Sequence, residues 1–421
     1  MSQTLDKSNT QGDLLGYCTN VHAGTDVESI LANLRKCAAP VRQRLGIDRL
    51  GVGLWFSQTA AKDLLQGDRL EYFRDHIEQL GLVPYTINGF PQEDFHQKVV
   101  KHRVYQPAWW ERSRLDYTRD LVRILDRLLP KGIAGSISTL PIGWGAEVIG
   151  QADGDNKCAQ AASHLLRLAQ ELDELHQKTG RMIRIALEPE PGCVFTDNAS
   201  LRTFYDRYWT PPAVSMEQAT KARQHLTICH DICHSAVMFE DQHHEVLKSS
   251  ELGIQVGKVQ VSSAIRVPWQ RLKPLEKQQA LLQLAQFAED RYLHQTLVVD
   301  SQGNRRLVED LPLVLDRFLD RRSNAGLDAV SDQEWRIHFH VPIYVSDWGY
   351  VESTQSQITD WFELTKTRPD LFHEDLAYEV ETYAWGVLPA DLKTSTLDEG
   401  IAKEILWLKG CATGFYRTRT Q

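Results

Sequence analysis

Two hydrophobic patterns alternate along this chain. Short apolar runs rich in β-branched residues recur at 14–22, 50–56, 83–88, 135–141, 183–188, 225–231, 256–262, 335–344 and 376–382. Between them, apolar residues return at helical spacing over 29–45, 60–80, 117–129, 159–176, 276–289, 307–321 and 357–365. Strands separated by helix-length segments imply right-handed βαβ crossovers and a parallel sheet. Repeated this often, the economical closure is an α/β fold of the (β/α)8 TIM-barrel type.

Nine strand candidates compete for eight places, so one is surplus: the run at 335–344 or part of the irregular stretch before it. That stretch, 292–332, reads as an insertion between late strands, with a turn at Ser301-Gln-Gly-Asn304. Residues 14–421 are thus expected to form a single TIM-barrel domain, with 1–13 a disordered polar tail.

Polar residues gather where these runs end: Asn20 and His22, Trp55, Asn88, Trp144 just beyond the fourth, then Glu188 and Glu190. Asp231 and His234, Gln260, His338 and His340, and Glu379 and Glu381 continue the series. The C-terminal rim of a barrel is where catalytic side chains sit. Inward carboxylates are costly unless paired, and no matching lysine is read on the same strands. A divalent cation resolves that repulsion.

Composition narrows the classes. With 421 residues and 42% apolar content, the chain can bury a large core without metals or disulfides as staples. A formal charge of −9 argues against a nucleic-acid partner. Arg305-Arg306 and Arg321-Arg322 are short enough to be solvated faces. Seven cysteines without a C-x-x-C pair favour a reducing compartment. The opening MSQTLDKSNTQGD has no apolar signal core, and no run approaches the ~20 apolar residues of a membrane helix. A cytoplasmic protein without membrane insertion is expected. Neither G-x-G-x-x-G nor a Walker A sequence occurs, so no nucleotide cofactor is expected.

A strand ending in Glu (IALEPEPG), one ending D-x-x-H (HDICHS), a G-x-x-Q-V strand (GKVQVSSAIR) and a last strand ending in Glu (YEVETYAW) resemble the xylose-isomerase-like barrels. These are sugar isomerases and epimerases, and the Gln is closer to the hydroxypyruvate-isomerase pattern. The resemblance implies one divalent ion on Glu188, Asp231, Gln260 and Glu381. It also implies substrate contacts from His234 and Arg266. More narrowly, GYCTNVHAG, ALEPEPGC, HDICH, HFHVPIY and EVETYAW resemble the family called EboE, whose members are described as metabolite-traffic proteins. That implies a small-molecule substrate from secondary metabolism and partners among proteins of the same pathway. Two departures stand out: Lys258 sits where epimerases often carry a second histidine, and His338 and His340 have no counterpart in simple epimerases.

Each residue has a plainer reading. Glu188 or Glu381 can be a buried carboxylate satisfied by Arg184 or by backbone N–H groups. Glu190 and Glu379, two residues away on the same face, are alternative ligands. Asp231 can be a helix N-cap. His230 faces the helix layer, and Cys229 and Cys233 are bystanders, since a reactive thiol needs an electropositive, exposed setting. Trp55 and Trp144 are rim packing, or aromatic walls for a ring substrate.

The leading expectation is a metal-dependent isomerase or epimerase acting on a sugar, cyclitol or hydroxy-ketone. Mn2+ or Mg2+ is favoured ahead of Zn2+ because the ligands are mostly oxygens. Glu188 and Glu381 would move the proton. His234, Arg266, His338, His340, Asn88, Trp55 and Trp144 would line the substrate. The alternatives are a non-catalytic metabolite-binding or hand-off protein on the same barrel, and a metal-dependent small-molecule hydrolase.

Overall fold

The computed structural model describes residues 15–319, 326, 330–373, 375–393 and 395–412; the expected tail at 1–13 lies outside them. Among these residues, eight parallel strands close into a barrel: β1 (Leu15–Cys18), β2 (Leu50–Trp55), β3 (Leu82–Asn88), β4 (Gly135–Thr139), β5 (Ile183–Leu187), β6 (Leu226–Asp231), β7 (Val256–Val261) and β14 (Ala377–Val380). Every strand residue is buried, which is why the runs read as continuously apolar rather than cleanly alternating. β14 closes the ring between β7 and β1, pairing Tyr378 with Val259 and with Leu15.

The helical segments appear close to where the spacing places them, except that the one expected over 307–321 begins in a strand, Arg305–Val308, and is helical over Leu311–Leu319, with 320–321 outside the described residues. The segment at 60–80 splits into Gln58–Leu64 and Arg69–Gln79, broken at Gly67, whose φ of 52° suits glycine. Helices Asn198–Trp209, Met216–His225 and Leu397–Cys411 were not expected. Met216–His225 is too polar to show an apolar stripe. All three nonetheless begin at capping boxes, Asp197 with Ser200, Ser215 with Gln218 and Thr396 with Glu399.

The insertion is larger than 292–332. Three residues after β7 the chain leaves the barrel as β8 (Ile265–Pro268). It continues through β9 (Thr296–Asp300), β10 (Arg305–Val308), β11 (Gln333–Ile337), β12 (Asp347–Trp348) and β13 (Val351–Ser353) before returning at β14. These strands form one antiparallel sheet in the order β10-β9-β11-β8-β13-β12. The surplus run at 335–344 therefore supplies β11 to this sheet. The sheet has its own core, with Ile265, Val267, Trp335 and Ile337 packed together with Trp385 and Leu388 from beyond β14.

Glu404, on the C-terminal helix Leu397–Cys411, ties the insertion's exit to the barrel. Its Oε1 accepts from the Ile343 N–H at 3.1 Å and the Thr382 hydroxyl at 2.6 Å. Burial pushes this carboxyl up to about 7, against the smaller opposing effect of those two donors. A raised folded value means the folded state holds the proton longer than the unfolded chain. Its stabilisation is complete below the ordinary carboxylate range and is lost as pH rises toward 7. Glu404→Gln has no proton to lose, so its stability relative to the native protein should improve by on the order of 3 kcal/mol between about pH 4.5 and pH 8. Denaturant unfolding at the two pH values checks this; an unchanged difference would show that Glu404 does not titrate in that window.

Candidate metal centre

The barrel rim collects carboxylates in two layers. In the lower one, Glu379 on β14 lies in register with Gln260 on β7 and points across the barrel. A Cβ on Gly53 would lie 1.5 Å from Glu379 Oε2, so β2 needs glycine at that position. Lys258, fully buried, meets Glu379 Oε1 at 2.6 Å and donates to the Ser138 hydroxyl at 3.0 Å. The expectation that the inward carboxylates lack a lysine is thus corrected for this layer. Lys258 precedes Gln260 by two residues, so strand alternation turns both inward.

In the upper layer Glu188 follows β5, Asp231 ends β6 and Glu381 follows β14. Each offers a carboxylate oxygen within 4.8 Å of the other two, and all three are buried. Burial first, then the neighbouring carboxylates, pushes Glu188 and Glu381 well above the usual carboxylate range. For Asp231 burial also raises the value. The His234 and His340 rings, the His234 N–H and the Ser262 hydroxyl outweigh it and hold this carboxyl below its ordinary value.

Asp231 is the N-cap of the helix that follows it, through one oxygen only. Oδ1 accepts from the His234 N–H at 2.9 Å as the N-cap of helix Ile232–Val237, and from Ser262 at 2.8 Å. Oδ2 has no hydrogen-bond partner. Glu381 Oε1 accepts from Asn20 Nδ2 at 2.6 Å and Asn88 Nδ2 at 3.0 Å, which fixes the carboxylate. Asn88 lines the cavity, but its amide is committed to Glu381 and to the Phe90 N–H. Arg184 does not serve Glu188; it pairs with Asp375 at 2.8 Å.

The residues present fit a divalent cation. Glu188 Oε2, Asp231 Oδ2 and both polar atoms of Gln260 are buried without partners, and Gln260 stands in register with Asp231. Buried polar atoms normally find a partner, and three of these four orphans are oxygens on adjoining strand ends, available to a cation. His230 faces away as expected, stacked on Trp361 and bonded to Gln242.

Above the carboxylates opens a small cavity of about 70 Å³. Glu190, His234, His338 and His340 line it on the polar side. Phe90, Phe95, Tyr292, Leu293 and Tyr383 line the other. Three expected substrate contacts are elsewhere. Arg266 lies on β8 with its guanidinium held by Glu334 at 2.7 Å and Glu352 at 3.1 Å. Trp55 donates Nε1 to the Pro91 carbonyl and packs behind Phe95. Trp144 stacks on Tyr105 at 5.0 Å and supports that wall residue from outside. Conversely, Asn20, Tyr105, Tyr383 and Gln295 take part without having been singled out as site residues. Tyr105 and Gln295 both donate to Glu190 Oε1, at 2.7 and 2.9 Å. Asn20 stood in plain view at the end of the first strand, whereas Tyr105 and Gln295 sit in segments with no motif.

No protein-family model matches the chain. No curated protein matches it either. Among solved structures, the chain is similar to a xylose isomerase-like TIM barrel protein from Mycobacterium smegmatis in complex with magnesium. The identity is 10% and the TM-score 0.49, over 96% of this chain and 99% of that one. It is also similar to the IOLI protein with a binding zinc atom, at 9% identity and TM-score 0.46, over 95% and 98%. A third is the probable 3-DHS dehydratase AsbF from Bacillus anthracis, at 12% identity and TM-score 0.40, over 94% and 98%. At such identities the likeness concerns the fold alone, which the closed parallel ring already establishes. None of these comparisons supports the narrower EboE resemblance.

The lower-layer ion pair yields a test of how the barrel tolerates its charges. Lys258→Met leaves Glu379 buried and unpaired and should cost about 3–5 kcal/mol of stability. Lys258→Met combined with Glu379→Met should recover most of that loss in denaturant unfolding. Additive losses in the double variant would show that the pair is not coupled.

Proposed function

We propose that this protein is a divalent-metal-dependent isomerase or epimerase acting on a polyhydroxylated small molecule, such as a sugar, cyclitol or hydroxy-ketone. The observation that carries the reading is the convergence of Glu188, Asp231 and Glu381, the first two each with an orphaned oxygen, beside a cavity that Glu188 and Glu381 line. A cation bound there supplies Lewis-acid polarisation of adjacent hydroxyl and carbonyl oxygens.

The chain's own residues then divide the work. Glu188 and Glu381 both have carboxyls raised well above the ordinary range by burial and by neighbouring carboxylates, and we assign them the transfer of a proton from carbon and back. Asp231, held below the ordinary range, stays ionised and acts as ligand only. Asn20 and Asn88 hold Glu381 through one oxygen. The aromatic side of the cavity packs against the apolar face of a ring substrate and excludes water. The narrower placement, in secondary-metabolite processing or traffic, rests on the EboE-like motifs alone. A hydrolase is the second reading, favoured by the histidines over the cavity. A binding or hand-off role is the third.

Metal content measured after desalting, beside Glu188→Gln, Asp231→Asn and Glu381→Gln, tests the site; each substitution should lower bound Mn2+ or Mg2+. Candidate sugars and hydroxy-ketones in D2O should then gain deuterium at the carbon next to the carbonyl, with Glu188→Gln slowing this about 100-fold or more. Failure of the wild type to bind any divalent metal would sink the isomerase. Bound metal without exchange in any candidate would favour hydrolysis or binding.

A further inference from the structure

Three histidines stand over the carboxylates, and the hydrogen bonds on their far side set the tautomer of each. His234 Nδ1 is 3.0 Å from the Pro189 carbonyl, and His340 Nδ1 is 2.8 Å from the Glu381 carbonyl. A carbonyl only accepts, so both Nδ1 atoms carry the proton. Gln295 is oriented by its Nε2, which donates to Glu190 Oε1 at 2.9 Å and to the Pro191 carbonyl at 3.1 Å. Its Oε1 therefore faces His338 Nδ1, at 2.8 Å, and that nitrogen too is the donor.

Each Nε2 is left with a lone pair, that of His338 met only by the Tyr383 hydroxyl at a long 3.5 Å. His234 Nε2 and His338 Nε2 nevertheless stand 3.1 Å apart. Two lone pairs at that distance repel unless positive charge lies against both. Two nitrogens on one tetrahedral zinc, at bonds of about 2.0 Å, are about 3.3 Å apart. Donation of the distal N–H to a carbonyl is also how metal-binding imidazoles are held. Glu190 offers a carboxylate oxygen within 4.8 Å of one nitrogen of each ring, and its Oε1 is 3.6 Å from His338 Nδ1, so a shared ion calls for a small shift of this carboxylate toward the two Nε2 atoms. His340 Nε2, buried and without a partner, lies 3.7 Å from Asp231 Oδ2, between this cluster and the carboxylate group.

We propose that His234, His338 and Glu190 form a second cation site, separate from the carboxylate site and suited by its nitrogens to zinc or a similar transition metal. Two nitrogens and one carboxylate select such ions over Mg2+, whereas the all-oxygen neighbour does not. The site needs the insertion, since His338 follows β11 and its orienting partner Gln295 precedes β9. The proposal does not depend on the isomerase reading, because it concerns ligand geometry only. The competing explanation of the 3.1 Å contact is a proton shared between the two rings.

Metal-free full-length protein, titrated with Zn2+ and separately with Co2+, tests this. Stoichiometry is read after desalting, and the Co2+ ligand-field absorption reports nitrogen coordination. The wild type should hold about two zinc ions per chain, and His338→Phe, which keeps the ring volume, about one. Glu381→Gln should keep the nitrogen-type Co2+ band while losing the other equivalent. Circular dichroism confirms that each variant is folded, and His234→Phe repeats the test should His338→Phe not fold. Metal content unchanged in a folded His338→Phe or His234→Phe variant overturns the proposal and leaves the shared proton. An equivalent lost in these variants but retained in Glu381→Gln supports it, even if the carboxylate site binds nothing.

Discussion

Concentrating negative charge inside a closed barrel is the constraint to which the rest of this site answers. A buried carboxylate is tolerated only where something positive or hydrogen-bonding replaces water. One layer down, the answer is internal: Lys258 faces Glu379, and Gly53 makes the room. One layer up, among the described residues, no lysine is paired with Glu188, Asp231 or Glu381, and the charge of Lys258 only partly offsets the repulsion at the two glutamates. Asn20, Asn88, Ser262 and the His234 N–H take up some of their oxygens and leave the others free. The same barrel end is thus satisfied below and deliberately incomplete above.

The helical layer and the second sheet serve this arrangement in different ways. The parallel strands deliver carboxylates because their ends face the cavity, and the helices cover the outside. The antiparallel sheet between β7 and β14 brings imidazoles, and it packs on the segment after β14 through Trp385 and Leu388. Oxygen donors therefore come mainly from the barrel and nitrogen donors mainly from the insertion, with His234 the exception.

Much of this was legible before any coordinates. Apolar runs ending in Glu188, Asp231 and Glu381 announced both the strands and their rim, since parallel strands buried on both faces read as near-continuous apolar stretches. Lys258 was overlooked although it lies two residues before Gln260, at the spacing that shares a face. Arg266 was placed at the site by the family resemblance, but the chain turns out of the barrel after Val261 and carries Arg266 into the second sheet. Trp55 and Trp144 sit at strand ends but turn their rings into the second rank. Tyr105 and Gln295 carried no signal, because loops gather side chains by three-dimensional closure rather than by period. His338 and His340 were visible as oddities, and only the second sheet explains how they arrive.

That arrival depends on a phase. In His338-Phe339-His340 the two histidines face the cavity, while Phe339 packs into the insertion's own core against Phe287 at 5.0 Å. The His338 N–H bonds to the Gln295 carbonyl and the Val341 N–H to the Ser263 carbonyl, clamping the segment on both sides. A slip of one residue would present a benzyl group to the cavity and bury imidazoles in oil. The aromatic at the centre of the triplet is thus the keel of the segment: it keeps both nitrogens upright by making every other phase costly.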